Sequence, residues 1–457
     1  MNSLPLIYSS DAEAPLAWAR GQPISRLRYL ADVASLAEQL PPAGHMLNLS
    51  TDRYRFAVGL GAAMLRGQNN LLPPNHTPDM VARLRALFPG TYLVGDDAGA
   101  AQSVQWPLAW PAGDQPARRS DATAPHALPS VHETTIAAHV LTSGSTGQPL
   151  PYAKPWGLLW RNSQAGAQRI AQHMGRSHLD GVSLVATVPA QHMYGFESSV
   201  LAALQGTVAF EASRPFYPAD ICAALQRIPR PRILVTTPLH LKALLDSGLS
   251  VPAVDLLLCA TAPLAPQLAA RAETVMNAPL MEIYGCTEAG QVATRRTTRG
   301  PTWLTYEGVA ISGDAEHAVA SGGHVPQPTP LADVLDIVDA SHFRLLGRSN
   351  DLVNIAGKRS SLSHLNFHLN GIDGVHDGAF WLPPQGAGLD AAVVRLVAFV
   401  VAPHLTRERI VAALRERIDA AFLPRRIVWL DALPRDPSGK LPGARLVELA
   451  AQWLGSS

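Results

Sequence analysis

Apolar positions along the chain fall into two alternating patterns. "RLRYLADVASLAEQL" (26–40) and "MVARLRALF" (80–88) repeat apolar residues at three- and four-residue intervals, which predicts amphipathic helices. "HMLNLS" (45–50), "TYLVGD" (91–96), "VSLVATVP" (182–189), "RILVTTP" (232–238) and "VDLLLCA" (254–260) are short apolar runs closed by turn residues, which predicts strands buried on both faces. Helices alternating with buried strands imply an α/β architecture of layered, largely parallel sheets covered by helices. "AGDQPARRSDATAPHALPSVHE" (112–133) reads as a surface connection before the strand "TTIAAHVLTS". Beyond residue 348 the pattern changes: an Asn/Gly/Asp-rich stretch is followed by a strand at "VRLVAFVVAP" (394–403), a helix at "TRERIVAALRERIDAAF" (406–422) capped by its threonine, and a strand at "RRIVWL" (425–430). The expectation is a large N-terminal domain over 1–348 with mixed sheets, and a small α+β domain over 349–457.

With 457 residues, 47% of them hydrophobic and 16% charged, the chain can bury more than one core. A formal charge of +1 carries no nucleic-acid footprint. Residues 401–457 hold nine Lys/Arg against six Asp/Glu, a bias that a solvated face explains and an anionic partner would also suit. Three scattered cysteines, Cys222, Cys259 and Cys286, indicate neither a disulfide framework nor a metal cluster. The N-terminus lacks a basic-then-apolar leader and no run is long enough to span a membrane, so the expected location is the cytoplasm.

Four segments carry chemistry. The loop Thr142-Ser143-Gly144-Ser145-Thr146-Gly147 follows a strand and precedes a helix beginning near Trp156. Its hydroxyls, glycines and free N–H groups can form an anion nest, or simply a polar surface turn; it lacks the lysine that closes a Walker loop. "LMEIYGCTEAG" (280–290) ends an apolar run in Tyr284, Gly285, Cys286, Thr287 and Glu288, a strand end where a carboxylate can hold Mg²⁺. "FRLLGRSNDLVNIAGKR" (343–359) contains Arg348, Gly357 and Arg359, and "LPRDPSGKL" (433–441) sets Lys440 after a Pro/Ser/Gly turn.

In this order and at these separations the segments resemble the adenylate-forming superfamily of acyl-CoA synthetases, aryl-acid ligases and peptide-synthetase adenylation domains. The resemblance implies activation of a carboxylic acid by MgATP to an acyl-adenylate and pyrophosphate, then capture of the acyl group by a thiol. It implies that Thr142 to Gly147 cradle the outer phosphates, Thr287 touches the α-phosphate and Glu288 binds Mg²⁺. Ala260, Thr261 and Ala262 with Gly285 would line the adenine, Tyr284 would stack on it, and Asp333 with Arg348 would hold the ribose. Arg359 would contact phosphate and Lys440 would bridge the carboxylate and the α-phosphate. The C-terminal domain would turn about Asn350-Asp351 and bring Gly357 to a pantetheine tunnel.

"VPAQHMYGFE" (188–197) matches the family's acyl-pocket segment. His192 would close the site, and Met193, Tyr194, Phe196, Thr237 and Pro238 would form the walls. Amino-acid-activating relatives place an aspartate near here; Phe196 and Glu197 stand in its neighbourhood instead, which disfavours an amino acid and favours a small aryl acid. Leu150 occupies the place of a frequent lysine, leaving the phosphate grip to Lys154 or the backbone. "LNLSTDRYRFAVGLGAAMLRGQNNLLPP" (47–74) is similar to compact ligases of xanthomonadin and aryl-polyene pigment pathways, which load hydroxybenzoate-like acids onto an acyl carrier protein. The carrier's phosphopantetheine is therefore the expected acceptor; free CoA is the alternative, and a non-catalytic nucleotide or acyl-adenylate sensor the second.

Overall fold

The computed structural model describes residues 2–8, 11–95, 103–105, 128–142, 150–348, 352–355, 358–383, 395–435 and 441–454. An eleven-stranded sheet forms its centre. Six of its strands, Pro15–Ala19, Ala209–Glu211, Ser183–Ala186, Arg232–Thr236, Leu256–Cys259 and Leu280–Cys286, lie side by side and parallel. Both flanks are antiparallel: Gln22–Ser25 on one, and Gly290–Arg295, Thr302–Thr305, His342–Arg348 and Asp333–Ile337 on the other. The expectation of largely parallel strands therefore holds for the middle of this sheet and not for its edges. A second, six-stranded sheet contains His45–Asn48, Asn69–Leu72, Thr91–Gly95, Ile136–Thr142 and Leu150–Pro155.

Side-chain alternation divides each central strand between two cores. Leu256 and Leu258 face a cluster shared with Met46, Leu72, Ala138 and Val140 of the six-stranded sheet and with the helices Arg26–Gln39, Arg53–Leu65 and Trp156–His173. Leu257 and Cys259 face the opposite cluster, roofed by Pro218–Arg227, Pro238–Asp246 and Pro266–Met276. One layer of helices thus lies between two sheets, and another covers the outside. Helix Arg53–Leu65 is buried almost all round, and its glycines make room: a Cβ on Gly61 would collide with Tyr29 and Val33.

Residues beyond 352 build their own sheet from Asp377–Trp381, Val397–Val401 and Arg426–Trp429. The two hydrophobic clusters that cover it draw on residues from Val353 to Ala450 and on none before them. The helix expected over 406–422 is shorter, Arg407–Arg415, capped by Thr406 as expected. The Asp419 carboxylate accepts from the Ala421 amide and starts a separate 3-10 turn, Ala420–Phe422, the local competition that aspartate offers a helix. Among the described residues no helix is long and apolar enough to cross a membrane.

Candidate active site

Four adjacent parallel strands deliver the predicted residues to one edge of the sheet. Ser183–Ala186 runs on to His192, Met193 and Tyr194; Arg232–Thr236 to Thr237 and Pro238; Leu256–Cys259 to Ala260, Thr261 and Ala262; and Leu280–Cys286 carries Tyr284 and Gly285 and ends beside Thr287 and Glu288. All four leave at carboxyl ends, where open α/β sheets form their ligand crevices.

Glycines fix the local course. Gly285 sits at a bulge against Gly290–Arg295, and a Cβ there would strike the Gly290 carbonyl. A Cβ on Gly195 would strike the Pro189 carbonyl, so the turn through His192–Gly195 closes only on glycine. Thr261 adopts φ +82°, unusual for a β-branched residue, at the turn expected to line the adenine.

Tyr284 and Asp333 meet directly. The tyrosine hydroxyl donates to the Asp333 carboxylate at 2.7 Å, and its ring packs against Trp303 and Phe343 with centroids 5.7 and 5.5 Å away. Asp333 lies opposite Arg348 in the antiparallel pair Asp333–Ile337 with His342–Arg348, so their fifteen-residue spacing is a hairpin register. Arg359 pairs with Asn354 in the hairpin Leu352–Ile355 and Lys358–Ser361. Thr142 ends its strand opposite Leu150. Ser143, Gly144, Ser145, Thr146, Gly147, Asn350, Asp351, Gly357 and Lys440 lie outside the described residues.

The acyl segment is mostly interior. Met193 and Tyr194 are buried, and burial pushes the Tyr194 hydroxyl well above the usual tyrosine range. Phe196 is wholly buried and meets Phe56 edge-on at 6.2 Å, which makes it a core residue. Thr237 caps the helix that Pro238 opens, its hydroxyl accepting from the His240 amide at 3.3 Å and lying 2.9 Å from the His240 ring. Burial, assisted by Arg214, lowers His240 to about 4.

Beneath Thr287 and Glu288 lies a group of residues that the sequence patterns did not connect. Leu150–Pro155 is a strand paired antiparallel to Ile136–Thr142, so a hairpin strand intervenes between the polar loop and the helix, which begins at Trp156 as expected. From this strand the Lys154 ammonium, 7% exposed, donates to the Thr287 carbonyl and, at 3.0 Å, to the Glu288 carbonyl. Two of its three donors are therefore held by protein carbonyls, which leaves one for the phosphate grip expected of Lys154 or the backbone. Burial lowers its proton affinity, and the nearby Glu197 carboxylate opposes that effect. The Glu288 carboxylate acts on Tyr152 and raises its hydroxyl. Glu197 accepts from Asn162 and from the Gln291 amide; burial pushes its carboxyl up to about 7. Cys286 is pushed up to about 12 by burial, an inert thiol.

The sequence profile of the AMP-binding enzyme family matches residues 65–348, more than half of the chain. The chain belongs to that family. It is an AMP-forming, ATP-using acid ligase. The 4-coumarate–CoA ligase of Rhodobacter capsulatus is 29% identical over 318 residues, covering 68% of this chain and 77% of the relative. That of Halorhodospira halophila is 29% identical over 324 residues, covering 66% and 73%. The solved o-succinylbenzoate–CoA synthetase from Bacillus subtilis, in complex with its acyl-adenylate intermediate, superposes with a TM-score of 0.77 at 16% identity over 98% of both chains. An amide bond synthetase from Marinactinospora thermotolerans superposes with a TM-score of 0.74 at 16% identity, covering 96% of this chain and 97% of the other. At that identity the superpositions establish the fold.

The donor set of this AMP-binding enzyme fits magnesium nucleotide. Mg²⁺ takes one or two carboxylates and completes its shell with phosphate oxygens and water. Glu288 is exposed at the end of its strand and offers a carboxylate of that kind.

Proposed function

We propose that the protein activates a small aryl carboxylic acid of the hydroxybenzoate kind with MgATP, and then transfers the acyl group to the phosphopantetheine of an acyl carrier protein. The observation that carries the reading is the convergence of His192–Tyr194, Thr237, Ala260–Ala262 and Tyr284–Glu288 at the carboxyl ends of four adjacent parallel strands. Thr287 would hold the α-phosphate and Glu288 would hold Mg²⁺, which would neutralise charge on the phosphates. Tyr284 and Asp333 orient base and ribose, with Arg348 assisting. The loop Ser143–Gly147 cradles the outer phosphates, and Lys440 and Arg359 add positive charge where negative charge builds during displacement at the α-phosphorus. Donors fixed before the reaction stabilise that charge more than they stabilise bound substrate.

Residues 349–457 act as a separate small domain that carries Lys440 in for adenylation and swings about Asn350-Asp351 to present Gly357 for thioester formation. The aryl preference is supported by the buried Met193 and Tyr194 and by the engagement of Glu197. That carboxylate is bonded to Asn162 and the Gln291 amide and so does not serve as a partner for a substrate ammonium. Both relatives named above are 4-coumarate–CoA ligases, which makes free CoA the second reading for the acceptor.

The test is acid-dependent pyrophosphate release across aryl, fatty and amino acids, followed by acyl transfer to holo carrier protein and to CoA. Hydroxybenzoate-like acids should give the highest kcat/KM and the carrier should outcompete CoA. Better turnover with CoA would establish the second reading, and no pyrophosphate with any acid would leave a nucleotide sensor.

A further inference from the structure

The hairpin that carries the polar loop and the turn that carries Thr287 and Glu288 belong to different sheets, and both must meet one nucleotide. Positions 152 and 154 of strand Leu150–Pro155 share a face because strand side chains alternate. Both reach the turn: the Glu288 carboxylate acts on Tyr152 and raises its hydroxyl, and Lys154 holds the carbonyls of Thr287 and Glu288. The other flank of the turn is held as well. Gly290, at φ +79°, presses against Glu197 and Asn162, where an added Cβ would lie 2.8 Å from the Glu197 carboxylate. Lys154 is the buried cation of this group and Glu197 its buried carboxylate.

We propose that Lys154 is a positioning residue that fixes the Thr287–Glu288 turn at a set distance from the phosphate hairpin, so that its removal weakens every ligand reaching that turn through an α-phosphate. The inference rests on the roles proposed above for Thr287 and Glu288. A lysine that gripped the outer phosphates would act on ATP and leave AMP untouched. A lysine that sets the turn acts on both, because AMP carries the α-phosphate and lacks only the outer two. A residue that orients a group which itself holds a metal or ligand commonly accounts for roughly 10- to 100-fold in affinity.

The experiment is calorimetric titration of the full-length protein with adenosine, AMP and ATP, comparing wild type with Lys154→Met and Lys154→Arg. Lys154→Met should weaken AMP and ATP by similar factors of roughly 10- to 100-fold and leave adenosine unchanged, and Lys154→Arg, which keeps N–H donors, should recover most of the loss. If Lys154→Met does not fold, Lys154→Met/Glu197→Gln, which removes both buried charges, carries the same titration. Loss of ATP affinity with AMP intact would overturn the proposal in favour of direct phosphate contact. Equal loss of all three ligands, adenosine included, would overturn it in favour of general structural damage. Wild-type protein that binds neither ATP nor AMP would sink the adenylation reading itself, an outcome distinct from the other two.

Discussion

Glu197 gives the pH dependence of stability an unusual sign. The carboxyl is fully interior, and burial outweighs Lys154, Asn162 and the Gln291 amide, raising it from an ordinary 4.5 to about 7. A carboxyl raised by folding stabilises the protein relative to its ionised form below the unfolded value, and that stability is lost as pH climbs to the folded value. Each pH unit between the two values is worth about 1.4 kcal/mol, so the penalty grows from nothing near pH 4.5 to about 3 kcal/mol above pH 7. Glu197→Gln imitates the protonated form, keeps an acceptor for Asn162 and does not titrate. With an unfolding entropy near 2.1 cal/mol/K per residue, the proposed unit of 348 residues has about 0.7 kcal/mol/K, and 3 kcal/mol corresponds to about 4 °C. Thermal melts at pH 5 and pH 8 should therefore show the variant gaining about 4 °C on wild type over that interval, whatever constant offset the amide introduces. A difference between variant and wild type that is the same at both pH values would refute the argument, as would one that shrinks toward alkaline pH.

Arg53→Met should cost about 3–5 kcal/mol, because a buried guanidinium leaves behind the Ala186, Val188, Glu211 and Ser213 carbonyls and the Ser199 hydroxyl it now serves; the same melts check it, and a shift under about 1 °C contradicts it. Tyr284→Phe should remove about 1 kcal/mol of support for Asp333, read as a roughly fivefold rise in the KM for ATP with kcat little changed; an effect on kcat alone would place the hydroxyl elsewhere in the mechanism. Lys440→Ala should slow adenylation by roughly 10²–10³-fold and spare acyl transfer from a preformed adenylate, measured as two separate half-reactions. Equal loss in both would contradict the swinging-domain reading.

The fold was legible where periodicity was strong. Apolar runs such as "VDLLLCA" announced buried strands because their alternating residues serve two cores, Leu256 and Leu258 one, Leu257 and Cys259 the other. The strand Leu150–Pro155 was hidden by its composition: prolines at 151 and 155 argue against a strand, and both are tolerated because this is an edge strand with one neighbour. The antiparallel direction of the flank beyond Cys286 was not legible: alternation over 343–359 marks a strand, His342–Arg348, without orienting it, and the bulge at Gly285 precedes the reversal.

For the site, the contrast between Asp333 and Glu197 shows what spacing can carry. Asp333 and Arg348 sit fifteen apart in sequence because they face each other in a hairpin, so a fixed spacing and a fixed geometry are one fact. Glu197, Asn162 and Lys154 come together from a π-helical turn, a helix and an edge strand, and no spacing rule links those elements. What the sequence offered was two anomalies, a lysine four residues late and a glutamate in an apolar segment. Each looked like a departure from a pattern when taken singly. In space they flank one turn, and a buried lysine beside a buried glutamate is a pair whose members must be altered together if the charge balance under that turn is to be kept.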